Sequence, residues 1–330
     1  MQVIFFKETA NETFNAGYKA RVDIDYIMTK RGSKSIDVSF AYADISKVSK
    51  VFGYLFLALK LLFIHKGTAL LVQYPCRQIS TLLGKLARGK RIIYLIHDLE
   101  GLRRQDKEQQ HRDIATLGKA YKIIAHNRAM KNYLVGNGIS EDKIVTLGVF
   151  DYIADKDREP NTDYSAQLCF AGNLNKSVFL DKLPQDITVN LYGLKGDDRE
   201  FGDNMRYMGS FPSDEIPFVL DGKYALVWDG DSADTCTGLM GEYTRYNNPH
   251  KLSLYICAGK PVIVWRQAAI AEFVIEQGIG VAVEGLSDLS SVIEGIDDEQ
   301  YRAMQDRVMQ LRSLVIQGDF FEKALGKALG

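Results

Sequence analysis

In the run Tyr246-Asn247-Asn248-Pro249-His250-Lys251-Leu252-Ser253-Leu254-Tyr255, the residue types conflict unless an anion is supplied. Asn248 is a good helix N-cap, and Pro249 fits the first helical position, where a missing N–H does no harm. His250 and Lys251 then stand in the first turn, where a cation opposes the helix dipole at roughly 0.3–1 kcal/mol. Backbone N–H groups beside a lysine make sense when an anion docks on them, and a diphosphate is the natural ligand. Without such a ligand, Lys251 is an exposed cation with no task.

Two other turns resemble half of a phosphate cradle. In Phe170-Ala171-Gly172-Asn173-Leu174-Asn175-Lys176, Gly172 directly follows an apolar strand and lets a ligand approach the backbone closely. Asn173 shares that turn, and Lys176 is expected at the start of the following helix. Asn15-Ala16-Gly17 lies in the first strand–helix loop. It falls short of GxGxxG, which argues against a nicotinamide enzyme.

Acids stand at two further strand ends. His97-Asp98 follows the apolar run RIIYLI, and either side chain there suits a general base acting on an acceptor hydroxyl. The plainer alternative is a satisfied histidine beside a helix-capping aspartate. Asp229-Gly230-Asp231 has the spacing of a metal-holding carboxylate pair. With a separate cationic site at Lys251, loop structure or hydroxyl contacts are the expectation, and no metal. The chain has no HExxH, Walker loop or nucleophile elbow.

These residues need elements to place them. Val3 to Phe6, Ile36 to Phe40, Ala69 to Gln73, Arg91 to Ile96, Lys122 to Ala125 and Lys143 to Leu147 read as strands with helices between them. Residues 151–165 are polar and read as a linker. The pattern then restarts with Gln167 to Phe170, Thr188 to Tyr192, Tyr224 to Trp228, Pro261 to Trp265 and Val281 to Val283. Residues 298–329 read as helical, broken at Gly318. Continuous apolar runs alternating with helices predict parallel strands covered on both faces. The expected architecture is two Rossmann-like, doubly wound α/β domains facing across a cleft, with ligands at the carboxyl ends of the strands.

A chain of 330 residues has room for two domains. Its four scattered cysteines form no CxxC pair and read as buried structural thiols. The N-terminus lacks the basic region of a signal peptide, which predicts a cytoplasmic protein. Val51 to Ile64 is the most apolar stretch. At fourteen residues, with Lys60 inside it, it is too short to span a bilayer and reads as a buried helix, or else as one lying on a membrane surface. Residues 1–150 carry a net charge of +11 and residues 151–330 a net charge of −12. The chain has no helix-turn-helix, zinc finger or RNP strand, so nucleic acid is a poor partner. The basic half fits the inner face of the plasma membrane, or a lipid-pyrophosphate acceptor on it. Complementary charge across the domain interface accounts for the asymmetry equally well.

The segments NAGYKAR, LIHDLEGLR, AHNRAMKNYL, FDYI, FAGNLNKS, LVWDGDSADTCTG and NNPHKLSLY, in this order, resemble bacterial galactofuranosyltransferases of O-antigen (lipopolysaccharide) and capsule assembly. The resemblance covers nearly the whole chain and is most specific from Trp228 to Tyr255. More loosely, the sequence is similar to the glucosyltransferases that extend GlcNAc on serine-rich adhesins. The resemblance implies a GT-B fold. Residues 1–150, with a C-terminal helix at about 315–330, would be the acceptor-binding domain, and residues 151–314 the nucleotide-sugar-binding domain. It implies a UDP-sugar as donor substrate, no other cofactor and no metal. Ala16 and Gly17, Gly172, Asn173 and Lys176, and the six residues Asn248, Pro249, His250, Lys251, Leu252 and Ser253 would hold the nucleotide. Lys176 stands where the adhesin enzymes have an arginine. Phe211 falls near an aromatic that packs on the uracil. Transfer of galactofuranose to a glycan hydroxyl would be inverting, with Asp98 as base and His97 and Asp231 behind it. UDP-glucose or UDP-galactose transfer to a glycoprotein glycan is the alternative, and a non-catalytic partner with the same fold is a further one. Self-association is left open.

Overall fold

Uninterrupted apolar runs become parallel strands in this chain. A computed structural model describes residues 2–8, 16–41, 43–87 and 89–330, and only the backbone at 16, 17, 77 and 78. Residues 1–147 together with 320–330 form one unit, and residues 148–319 form a second.

In the first unit the strands are β1 Val3–Lys7, β2 Lys34–Asp37, β3 Ala69–Tyr74, β4 Arg91–Ile96, β5 Lys122–Ala125 and β6 Ile144–Thr146. They pair in the order β2-β1-β3-β4-β5-β6, all parallel. Every residue of β3 is buried, as expected of a strand covered on both faces. The order reverses between β1 and β3, so right-handed crossovers lay helices on both sides and open a crevice there. The second strand runs Lys34–Asp37 rather than Ile36 to Phe40. Asp37 Oδ1 accepts from Ser39 N at 2.8 Å and turns the chain into a 3₁₀ segment, Ser39–Ala41.

The apolar helix is Lys47–Phe63, and it is not buried. Leu57 and Leu61 face inward, whereas Phe52 is 66% exposed and Phe63 87%. Among the described residues no helix is long and apolar enough to cross a membrane. The final helix, Asp319–Leu329, buries Phe321, Ala324, Leu325 and Ala328, and Arg31 pairs with Glu322.

In the second unit the strands are β7 Leu168–Ala171, β8 Val189–Tyr192, β9 Met205–Gly209, β10 Tyr224–Val227, β11 Val262–Trp265 and β12 Gly280–Val283. They pair in the order β12-β11-β10-β7-β8-β9, again all parallel. The reversal falls between β7 and β10. The polar stretch after Phe150 has no regular element but is tied down. Arg312, buried in the helix Asp298–Val315, donates from Nη2 to Arg158 O at 2.7 Å and from Nε to Cys257 O at 2.8 Å. Gly318 (φ +92°) separates that helix from the last one. All four cysteines are buried and free, and burial pushes the thiols of Cys76, Cys169 and Cys236 up to about 12. Those three are inert at neutral pH.

Candidate active site

The crevice between the carboxyl ends of β7 and β10 is filled by one lysine. Lys251 stands in the first turn of the helix His250–Cys257. Its Nζ lies 3.3 Å from Trp228 O and 3.5 Å from Asp229 Oδ2, both just past β10. The same ammonium is 4.7 Å from the Phe170 ring centroid on β7. Tyr255, one turn on and on the same helix face, accepts from Ala171 N at 2.9 Å. The helix is thus fixed across both strands, and Lys251 is aimed by it. Its two polar contacts are long for an ammonium, and its side chain keeps 19% exposure. An ammonium held this way has capacity left for an anion.

Glycines keep the floor of the crevice open. A Cβ on Gly172 would lie 3.1 Å from Lys251 Cε and 3.3 Å from Phe170 Cζ. Gly193, past β8, has φ +127°, and a Cβ there would lie 1.9 Å from Gly172 O. Phe211 lies past β9 at this sheet edge, its ring 6.1 Å from that of Tyr192.

The helix start differs from the expected one. The N-cap is Pro249, not Asn248, and it makes no side-chain cap. Asn248 is buried and donates from Nδ2 to Gly148 O at 2.8 Å, so its amide braces the preceding loop. No acid stands in the first turn, so nothing on the helix offsets its dipole there. His250 stacks on Tyr152 with ring centroids 5.1 Å apart. Leu252 and Ser253 are buried, and among the described residues Ser253 Oγ has no hydrogen-bond partner. At 100° per residue, Ser253 points away from the face that carries Lys251. Of Lys251 and Ser253, it is Lys251 that faces the crevice.

The rest of the Gly-Asn turn is looser. Asn173 Oδ1 accepts from Asn175 N at 3.2 Å, closing a local turn. Lys176 was expected at a helix start. The chain instead enters a 3₁₀ segment, Val178–Lys182, and the exposed Lys176 side chain makes no hydrogen bond or ion pair among the described residues. Ala16 and Gly17 open the helix Ala16–Lys30, and the loop at 9–15 before them lies outside the described residues.

Asp229 and Asp231 do not converge. Asp229 faces Lys251, whereas Asp231 Oδ1 accepts from the Thr237 hydroxyl, which holds its carboxyl below the usual range. Asp231 is exposed, and its carbonyl accepts from Lys182 Nζ at 2.9 Å. An acid that ionises so readily is a weak base. Among the described residues, no three His, Cys, Asp or Glu side chains come together as metal ligands.

The first unit has its own crevice, between β1 and β3, and it too receives a cation from a helix. Arg21 donates to Glu8 Oε2 at 3.2 Å, Gln73 O at 3.3 Å and Pro75 O at 3.1 Å. A guanidinium with a carboxylate and two carbonyls is already satisfied. Among the described residues, Arg21 is more fully engaged than Lys251.

Past β4, His97 and Asp98 are held differently. Gln73 Nε2 donates to Asp25 Oδ1 at 2.8 Å, so Gln73 Oε1 faces His97 Nε2 at 2.7 Å. That assigns the ring proton to Nε2. Asp25 is buried, and burial together with the nearby Glu8 pushes its carboxyl up to about 7, against the lowering charges of Lys7 and Arg21. Asp98 accepts from Arg103 Nη1 at 3.1 Å, in an ion pair whose two side chains both stay partly exposed. His126 lies beneath, bonded to Ile96 O at 2.9 Å and pushed down to about 4 by burial, so it stays neutral. Helical spacing offered a signal for Tyr255. Glu8, Arg21, Asp25 and Gln73 meet only through the fold, and nothing local in the sequence joins them.

Residues 3–149 match the family model described as glucosyltransferase 3-like, N-terminal domain, and residues 168–328 match glucosyltransferase 3-like, C-terminal domain. The chain is 28% identical to the β-1,6-galactofuranosyltransferase WbbI of Escherichia coli (strain K12), over 96% of this chain and 94% of that one. It is 27% identical to glucosyltransferase 3 of Streptococcus gordonii, over 62% of this chain and 60% of that protein. Among solved structures, sucrose-phosphate synthase of Thermosynechococcus elongatus superposes with a TM-score of 0.65 at 12% identity, covering 99% and 97% of the two chains. The two six-stranded parallel sheets are those of the GT-B fold.

Proposed function

The chain belongs to the glucosyltransferase 3-like family of glycosyltransferases, and from that premise we propose that it moves galactofuranose from UDP to a hydroxyl of a bacterial glycan, with inversion and without a metal ion. The observation that carries the donor site is Lys251 at the β7/β10 crevice, unsaturated and set on a helix start that no side chain caps. In this reading the donor diphosphate lies on Lys251 and the first-turn amides of its helix, above Gly172. Lys251 and the helix dipole supply the positive charge that a divalent ion supplies elsewhere. Phe211 offers its ring to the uracil.

The first unit takes the acceptor, and His97 receives the proton of its hydroxyl. The acceptor oxygen bonds to the anomeric carbon as the carbon–phosphate oxygen bond breaks. UDP leaves with the bonding electrons, and its added charge falls on Lys251. Gln73 and Asp25 keep the His97 ring oriented and stabilise its cationic form. Asp98, paired with Arg103, holds the strand-end loop.

A second reading keeps the mechanism and takes UDP-glucose as donor. The family description and the similarity to glucosyltransferase 3 favour it. A melting-temperature panel with UDP, UDP-galactofuranose, UDP-glucose and UDP-galactose, with and without EDTA, tests both readings. The expected result is a rise with UDP and a larger one with a single UDP-sugar, neither changed by EDTA. No rise with any uridine nucleotide would leave a partner protein that keeps the fold without the chemistry.

A further inference from the structure

The helix Lys47–Phe63 is apolar on two opposite sides. Leu57 and Leu61 are buried, and a Cβ on Gly53 would lie 2.3 Å from the Phe40 ring, so that side is fitted tightly to its unit. The other side carries Val48, Phe52, Leu55, Phe56, Leu59 and Phe63, each between 47% and 87% exposed. Their spacing makes one continuous stripe along the helix. A stripe of this size is larger than the scattered surface apolar residues of ordinary monomers and calls for an occupant.

The charge around the stripe identifies that occupant. From Ile45 to His97 the sequence has no Asp or Glu and nine Lys or Arg. Lys47 and Lys50 stand at the start of the helix and Lys66 just beyond its end. Lys60 Nζ lies 4.5 Å from the Phe56 ring centroid, its stem lying along the apolar surface. A second copy meeting this face about a two-fold axis would set these lysines against their own equivalents. An apolar interior bordered by negative charge satisfies both features, and the membrane interface has that composition. Seventeen residues give a helix about 25 Å long, which lies along the surface and does not cross it.

We propose that the outer face of Lys47–Phe63 is a docking surface for a bilayer containing anionic lipid, with the aromatic and aliphatic stripe inserted at the headgroup boundary and the flanking lysines on lipid phosphates. The proposal rests on the first unit alone and stands whichever sugar is transferred.

The test is co-sedimentation of the full chain with vesicles of phosphatidylcholine, alone or mixed with phosphatidylglycerol, at low and high salt. The expected result is binding to the mixed vesicles, weakened by salt, and little binding to phosphatidylcholine alone. The double variant Leu55→Glu, Phe56→Glu should bind the mixed vesicles at least about tenfold more weakly. Lys47→Glu with Lys50→Glu should weaken binding by a similar factor and flatten its salt dependence. Leu55, Phe56 and Lys47 are exposed and Lys50 is half-buried at the helix start, so the melting temperature of the first pair should hold and that of the second is measured beside its binding. A Leu59→Trp variant, fully folded, should shift its emission to the blue with mixed vesicles only. No vesicle binding, binding unchanged in the Leu55→Glu, Phe56→Glu variant, or no blue shift at position 59 would each overturn the proposal. A lipid-free dimer abolished by the same double variant would overturn it in favour of a second copy.

Discussion

A Cβ on Gly172 would stand 3.1 Å from Cε of Lys251. The missing side chain of one residue is thus the passage for the stem of the other, 79 positions along the chain. The ammonium reaches the ends of both β7 and β10 only because β7 is followed directly by glycine.

Removing the charge tests the site most directly. Lys251→Ala should weaken UDP binding by about 1.5–3 kcal/mol, the worth of a hydrogen bond to a charged group. The fold should persist, because the lysine's own contacts are long and partly exposed. Calorimetry with UDP reads this, and an unchanged affinity would remove the phosphate from this crevice.

Gly172→Ala should act through the lysine rather than through the fold. The stem of Lys251 can shift, so melting should change little while UDP affinity falls about three- to tenfold, the loss of one well-placed hydrogen bond. Gly193→Ala is the contrasting variant. Its Cβ meets the backbone oxygen of Gly172 and its φ is positive, so a loss of stability above about 2 kcal/mol is expected. Equal melting temperatures for the two variants would contradict this account of the crevice floor.

The two candidate bases separate kinetically. His97→Ala should spare UDP binding and lower kcat by at least about a hundredfold. Asp98→Asn should lose the Arg103 pair and cost less than about tenfold, as a positioning change. Gln73→Leu should move the acid limb of the kcat/KM profile by removing the acceptor on Nε2. Full activity in His97→Ala together with none in Asp98→Asn would reverse the assignment.

Asp25 gives stability a pH dependence of known sign. Its folded-state value, about 7, lies above the unfolded value of about 3.9. The folded chain therefore keeps a proton that the unfolded chain has released, and this contribution declines as pH rises from about 4 to about 7. Asp25→Asn should raise the urea midpoint at pH 8 and make progressively less difference toward pH 4. An identical pH slope in parent and variant would refute the assignment.

Much of the fold was legible because strands buried on both faces read as unbroken apolar runs. Ten of the twelve strands can be placed in this way. The exceptions are two edge strands: β2, Lys34–Asp37, which starts earlier than its apolar residues suggest, and β9, Met205–Gly209, with exposed Arg206 and Tyr207 and no such run. Lys251 stood out because a cation at a helix start contradicts the dipole. The cap itself did not: Asn248 is a good capping residue by type, but its amide is claimed by Gly148, which only the tertiary structure reveals. The Asp25–Gln73–His97 chain was invisible, since its members lie 48 and 24 residues apart. The exposure of Lys47–Phe63 was equally hidden, because a helix apolar on both sides carries no mark of which side the protein covers.

The polypeptide leaves the first unit after Leu147 and re-enters it at Phe320. In genetic terms the second unit is an insertion with two seams, and no single cut separates the halves. Residues 148–319 form a contiguous cassette, whereas a fragment stopped before Phe320 lacks Phe321 and Leu325, both fully buried in the intact chain. Exchanging the second unit between relatives therefore calls for transplanting that cassette at both seams. A simple fusion of one amino-terminal half to another carboxyl-terminal half would also replace the helix Asp319–Leu329, whose residues from Phe320 onward belong to the first unit.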